Sequence, residues 1–211
     1  MSEPLHGIVA TLPLRSLHDG KRRLAHRFSA DERMRMIMAM CGTVVGALRA
    51  SGVIMQIGLV SGDAATLDFG QSLGLVPIQE RIHDLNSALR TAGEWAAERA
   101  DEHLIVLPDL PLLSPDDIRG VVESADAAPS IVACPDRTRT GTNMLMLRPC
   151  GCIPPLFGLG SLQRHLAAAR ATGAAVRLHD SPGTSWDIDT PEDLAALPLH
   201  LYQELLPWQP R

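Results

Sequence analysis

The chain has no excess of basic residues: across 211 residues, 19 Lys and Arg stand against 24 Asp and Glu, a formal net charge of −5. Nucleic-acid binders carry surplus cations to neutralise phosphates, so no nucleic-acid partner is expected; a small anion, which a few well-placed cations can hold, stays open. No stretch approaches the roughly eighteen uninterrupted apolar residues of a membrane span. The segment from Met1 to Gly20 has no apolar run flanked by basic residues and a small-residue cleavage site, so no secretory signal and a cytoplasmic location are expected. Cysteine is sparse: Cys41, Cys134, Cys150 and Cys152 are expected to be reduced thiols. Cys150-Gly151-Cys152 has no second Cys/His pair at zinc spacing and reads as small residues in a turn. There is no internal repeat and no low-complexity linker. One domain over residues 1–211, long enough to bury a core, is the expectation.

What is present alternates. Gly7 to Leu12 is a short apolar run between turn residues, the pattern of a buried strand, and a polar basic loop follows it. Ser29-Ala30-Asp31-Glu32 is a capping box that opens a helix reaching about Arg49. Further strands are predicted at 55–60, 75–78, 104–107, 131–133, 143–147 and 175–178, with helices at 63–73, 84–99 and 161–171. Ser114-Pro115-Asp116-Asp117 and Thr190-Pro191-Glu192-Asp193 carry the same start chemistry: a hydroxyl at N-cap, Pro at N1 and an acid at N3. The tail after Pro198 is expected to lie on the surface or fray. Strands alternating with helices imply a largely parallel sheet covered on both faces, a three-layer α/β/α sandwich. Ligands in such sheets sit beyond the carboxyl ends of the strands.

Four segments carry candidate chemistry. Arg15, Lys21, Arg22 and Arg23 lie in the loop leaving the first strand, where cations can surround a polyphosphate, or simply be solvated. Asp109 ends an apolar strand in Asp109-Leu110-Pro111; it can ligate Mg²⁺ or cap a turn. Asp187 and Asp189 fall on one face if Trp186 to Asp189 is extended, and two such carboxylates repel unless a cation lies between them. Helix-start chemistry explains Thr190 and Asp193 but neither of these two acids. Gly141-Thr142-Asn143, Gly160-Ser161 and His165 offer close backbone approach and a helix N-terminus suited to an anion, or are two ordinary loops and a helical His.

These segments together resemble the nucleotidyltransferases that make coenzyme F420, the 2-phospholactate, phosphoenolpyruvate or 3-phosphoglycerate guanylyltransferases within the MobA-like, GT-A-type group. The resemblance rests on Pro13-Leu14-Arg15 with Gly20-Lys21-Arg22-Arg23-Leu24, on Leu85-Asn86-Ser87-Ala88-Leu89, and on Asp109-Leu110-Pro111. It continues through Gly141-Thr142-Asn143, the Phe157-Gly158-Leu159-Gly160-Ser161 run with His165, and Asp187 to Leu194. Leu162 and Pro108 depart from the family pattern and are expected to reshape the acceptor pocket. The resemblance implies transfer of GMP from GTP to the phosphate of a three-carbon phosphoacid with release of pyrophosphate. It implies Mg²⁺ on Asp109, Asp187 and Asp189, with Lys21, Asp109 and Asp189 catalytic. Arg15 and Arg23 would meet the triphosphate, Thr142, Gly158 and Ser161 the acceptor, and Asn86 the guanine. Hand-over of a labile product to the next enzyme is implied as well, and oligomeric state is left open. Two alternatives stand beside this reading: transfer to a molybdopterin or sugar phosphate, and a silent GTP-binding module.

Overall fold

The computed structural model describes residues 7–82 and 84–205; the ends of the expected 1–211 domain and of the tail lie outside these residues. Seven strands form one sheet: β1 (Ile8–Pro13), β2 (Gln56–Ser61), β3 (Val76–Gln79), β4 (Glu102–Val106), β5 (Ser130–Pro135), β6 (Thr142–Arg148) and β7 (Ala175–Leu178). Their order is β3-β2-β1-β4-β6-β5-β7. All pairings are parallel except those of β6, which runs antiparallel to both β4 and β5. The expected mostly parallel sheet is therefore present with one reversed strand. Reversal matters for the site, because it brings the first residues of β6, Thr142 and Asn143, to the same edge as the carboxyl ends of β1 and β4.

The apolar runs read from the sequence are buried throughout. Every residue of β1 and β5 is buried, as expected for strands covered on both faces. Alternation divides them: Ala10, Leu12, Leu59, Leu104 and Met146 pack with α1 (Ala30–Ala50), α2 (Ala64–Ser72) and α4 (Pro115–Glu123). On the other face Ile105, Ile131, Leu145 and Leu147 pack with α3 (Leu85–Ala97) and α5 (Ser161–Thr172). The result is the three-layer α/β/α sandwich. The capping boxes form as read, Ser29 with Glu32, Ser114 with Asp117 and Thr190 with Asp193.

Three short helices complete the chain: α6 (Pro182–Ser185), α7 (Pro191–Ala195) and α8 (Leu199–Leu205). Of the two outcomes expected after Pro198, packing or fraying, the described part packs: α8 docks, with Leu205 joining Leu24, Met36, Met40, Ile188 and Leu194 in a satellite core. That core pins the segment carrying Asp187 and Asp189 against α1. The four cysteines are free thiols.

Candidate active site

Asp109 follows β4 and holds the 186–189 segment by its backbone: its carbonyl accepts the Ile188 N–H at 3.3 Å. Ile188 is fully buried in the satellite core, so the extended backbone turns Asp187 and Asp189 away from it, toward the edge of the sheet. Asn143 reinforces the arrangement. Its carbonyl accepts the Leu107 N–H at 3.0 Å, and its side-chain amide donates to the Thr184 and Ser185 carbonyls, both at 3.2 Å. Asp193 fixes the far end: its carboxylate accepts the backbone N–H of Thr190 at 2.7 Å and of Asp189 at 3.0 Å. The capping acid that sequence reasoning set aside thus places one of the acids it retained.

Lys21 lies at the centre. Its ammonium donates to Asp109 Oδ2 at 2.6 Å and to Asp189 Oδ1 at 3.0 Å. Burial alone would lower the Lys21 pKa, but the charges of Asp109 and Asp189 outweigh it and the net direction is upward. Lys21 adopts φ 52°, a left-handed backbone that non-glycine residues seldom hold. Such strain persists where surrounding contacts fix it, and here two carboxylates do. Asp187 is half-buried, and burial together with the charges of Asp109 and Asp189 pushes its carboxyl up to about 6. The second oxygen of Asp109, Oδ1, is buried with no hydrogen-bond partner among the described residues.

The expected metal ligands therefore do converge on one edge, but not as a ready-made cage. Among the described residues no group of three His, Cys, Asp or Glu side chains is drawn together tightly enough to hold a metal ion. The physical reason is that the Lys21 ammonium stands between Asp109 and Asp189, neutralising the pair that a divalent cation was expected to bridge. The site is a lysine-bridged carboxylate cluster with a third acid, Asp187, beside it.

The other basic residues divide. Arg23 is exposed and approaches Asp189 at 3.5 Å, and Arg22 pairs with Asp19. Arg15 lines a groove of about 300 Å³ with Lys21, Asp109, Pro108, Leu85 and Met40. Pro108 thus shapes this groove, not the acceptor loop. Arg137, which sequence reasoning passed over, stacks on Trp186 at 4.2 Å from the ring centroid and pairs with Asp193. The signal for it was the β5–β6 hairpin, which only the antiparallel direction of β6 makes visible.

The residues expected to meet the acceptor form a separate cluster at the same edge. Thr142 and Ser161 are buried, and Gly158 accepts the Ser161 N–H at 3.0 Å. His165 is fully buried. The Leu156 N–H donates to its Nε2 at 2.9 Å, so Nδ1 carries the proton and donates to Thr142 Oγ1 at 3.0 Å. Burial lowers the His165 pKa to about 4, which keeps the ring neutral. His165 therefore holds Thr142 in place through a hydrogen bond. Leu162 is buried in the α5 core, so this departure from the family pattern alters packing beneath the loop. Gly141 sits where the β5–β6 hairpin closes tightly. A Cβ there would stand 2.6 Å from Asp136 Oδ2, the oxygen that accepts the Gly141 N–H and closes the hairpin.

Asn86 is drawn toward this acceptor cluster. Its amide nitrogen donates to the Phe157 carbonyl at 3.1 Å and its oxygen accepts the Phe157 N–H at 2.7 Å. Both ends of the side chain are engaged by one backbone unit, the geometry of a clamp and not of a base-reading amide. Replacing Asn86 with Ala removes two partly buried hydrogen bonds, each worth about 1 kcal/mol. The expected outcome is a raised acceptor KM with the nucleotide KM little changed, read by steady-state kinetics; equal shifts in both constants would sink the clamp.

A model of guanylyl transferases described as CofC-like matches residues 8–204, nearly all of the structure described above. The chain belongs to this family. A phosphoenolpyruvate guanylyltransferase of Rubrobacter xylanophilus is 38% identical over 191 residues, 90% of this chain and 93% of that protein. A 2-phospho-L-lactate guanylyltransferase of Methanothermobacter thermautotrophicus is 33% identical over 192 residues, 90% of this chain and 84% of that one. Among solved structures, a Desulfovibrio desulfuricans G20 protein assigned to the nucleotide-diphospho-sugar transferases aligns with a TM-score of 0.77 at 15% identity. It covers 95% of this chain and 94% of its own, a likeness of fold.

Proposed function

We propose that the protein transfers GMP from GTP to the phosphate of a three-carbon phosphoacid: phosphoenolpyruvate, 2-phospho-L-lactate or 3-phospho-D-glycerate. A phosphate oxygen of the acid attacks the α-phosphorus, the bond to the β-phosphate oxygen breaks, and pyrophosphate leaves. The acceptor phosphate is already largely dianionic at pH 7, its second pKa being about 6, so no protein base is needed. The barrier is repulsion between two polyanions, and catalysis is positioning with charge neutralisation. The observation that carries the reading is the Lys21 ammonium bridging Asp109 and Asp189 at the strand ends, in a chain of the guanylyl transferase family.

In this reading Lys21 binds the triphosphate, Arg15 and Arg23 meet its outer phosphates, and Thr142, Gly158 and Ser161 receive the acceptor carboxylate. The donor set suits Mg²⁺, a hard cation that takes carboxylate oxygens: the buried Asp109 Oδ1 has no hydrogen-bond partner among the described residues, and Asp187, raised by burial and then by the charges of Asp109 and Asp189, stands beside it. Asp109, Asp187 and Asp189 would hold the ion, with Lys21 yielding one of its two carboxylates. Such an ion supplies charge neutralisation to the triphosphate. The product of this reaction feeds assembly of the deazaflavin coenzyme F420, as the family resemblance implies. The test is a matrix of GTP, ATP and CTP against the three phosphoacids with Mg²⁺, read by mass spectrometry. A guanylylated acid is expected with GTP only, and a blank matrix sinks the reading.

A further inference from the structure

The groove that begins at Lys21 and Asp109 does not end at the phosphate loop. Its wall residues Pro13, Leu14, Arg15 and Leu85 also line an adjoining cavity of about 110 Å³, whose far side is Val60, Ala88, Asp84 and Glu80. This cavity gives a nucleoside triphosphate with its α-phosphate beside Lys21 a path for its sugar and base. The walls there are mostly apolar, as suits the faces of a planar ring, and the polar groups that would read its edge are few.

Two carboxylates line that far end. Asp84 is exposed, and its carboxylate accepts the Ser87 N–H at 2.9 Å as the N-cap of α3, so helix chemistry accounts for it. Glu80 is 6% exposed and stands just beyond β3, where it lines both this cavity and the neighbouring one at Gln79, Arg81 and Ser87. Its backbone N–H donates to the Ser61 carbonyl at 3.0 Å, and the Ser61 hydroxyl donates to the Arg15 carbonyl at 3.1 Å. Glu80 is thereby laced to the loop that carries the phosphate-binding cations.

We propose that Glu80 determines base specificity, its carboxylate accepting from the adjacent N1–H and N2–H of a guanine. The inference rests on the guanylyl-transfer reading for the placement of the triphosphate. Guanine offers two parallel donors on one edge, which a carboxylate accepts together with the strength of charge-assisted bonds. Adenine and cytosine offer a ring-nitrogen acceptor at the matching position, so acceptor faces acceptor in a buried site. Hypoxanthine keeps N1–H but lacks the 2-amino group. A site built around such donors rejects analogues that lack them far more strongly than an apolar pocket rejects a change of size.

Isothermal titration calorimetry of GTP, inosine triphosphate and ATP with Mg²⁺, on the native protein and on Glu80→Gln and Glu80→Asp, tests this, with melting temperatures to establish folding. The native protein is expected to bind GTP about tenfold or more tighter than inosine triphosphate, and ATP more weakly still. Glu80→Gln is expected to lose about tenfold or more in GTP affinity while inosine triphosphate loses less, so the preference narrows. An unchanged GTP preference in Glu80→Gln overturns the proposal, as does an equal loss for all three nucleotides. If Glu80→Gln does not fold, equal affinity of the native protein for GTP and inosine triphosphate still overturns it. A GTP preference that depends on Glu80, with no product from any phosphoacid, supports the base site and sinks the transfer reading. Transfer of IMP from inosine triphosphate as readily as GMP from GTP, with pyrophosphate released in both, does the reverse.

Discussion

Lys21→Ala is expected to lower turnover by a hundred- to a thousandfold, roughly the effect of removing one preorganised charge from a site where charge develops. The same variant is expected to gain in melting temperature on addition of Mg²⁺ more than the native protein does. Both outcomes have one cause. The ammonium sits between Asp109 and Asp189 at 2.6 and 3.0 Å; removing it leaves these acids and Asp187 facing one another with the exposed Arg23 at 3.5 Å from Asp189, so a divalent ion is expected to bind more strongly while the triphosphate is expected to lose a partner. Lys21→Arg is not expected to restore turnover, because a planar fork cannot replace a compact charge shared between two carboxylates. Turnover within tenfold of native in Lys21→Ala would remove Lys21 from the mechanism. A smaller Mg²⁺ response in the variant would remove the shared metal site.

The Lys21 cluster also shows what could be read in advance and what could not. Asp187 and Asp189 were legible because helix-start chemistry explains neither, and Asp109 because of its place at a strand end, although it could also cap a turn. Asp109 ends a buried strand, and the other two alternate with Ile188, an apolar residue that must face the core. Lys21 was legible as a basic residue after the first strand. That its ammonium lies between two acids 88 and 168 residues away was not, because side-chain distance is set by tertiary closure of the 109 and 189 segments. The direction of β6 was hidden for a related reason: a buried antiparallel strand in a mostly parallel sheet has the same continuous apolar pattern as its neighbours. With that direction unknown, Asn143 read as part of a turn and its bonds to Ser185 and Thr184 had no place. Asn86 was expected near the guanine; its actual partner, the Phe157 backbone, depends on how the loop before α5 folds back on α3. Glu80 carried no motif at all; only burial beside the groove distinguishes it from any acid after a strand.

Acid is expected to destabilise the fold between pH 6.5 and 4, before the ordinary carboxylates titrate. His165 and His103 are both fully buried, and His103 shares a 2.7 Å hydrogen bond with Thr11 between β4 and β1. Burial depresses each to about 4 from the usual 6.5. For such groups the unfolded chain binds the proton first, so stability is complete above pH 6.5 and is lost as pH falls toward 4. A shift of this size corresponds to about 3 kcal/mol per histidine over that window. Asp187 acts in the opposite sense: its carboxyl, raised to about 6, gains a proton more readily when folded, and because solvent screens this partly exposed group it offsets less than one histidine as pH falls. The remainder is a net loss of at least about 3 kcal/mol, large against a total stability of roughly 5–15 kcal/mol. Urea midpoints measured from pH 7.5 to 4 in a metal-free buffer check this. The midpoint should fall steeply below pH 6.5, and His103→Gln should flatten the fall without changing turnover at pH 7.5 as much as changes in the Lys21 cluster do. Asp187→Asn should steepen it, because the opposing group is gone. A flat midpoint down to pH 4.5 would mean that one or both rings are charged in the folded protein, which the Leu156 N–H pointing at His165 Nε2 opposes directly.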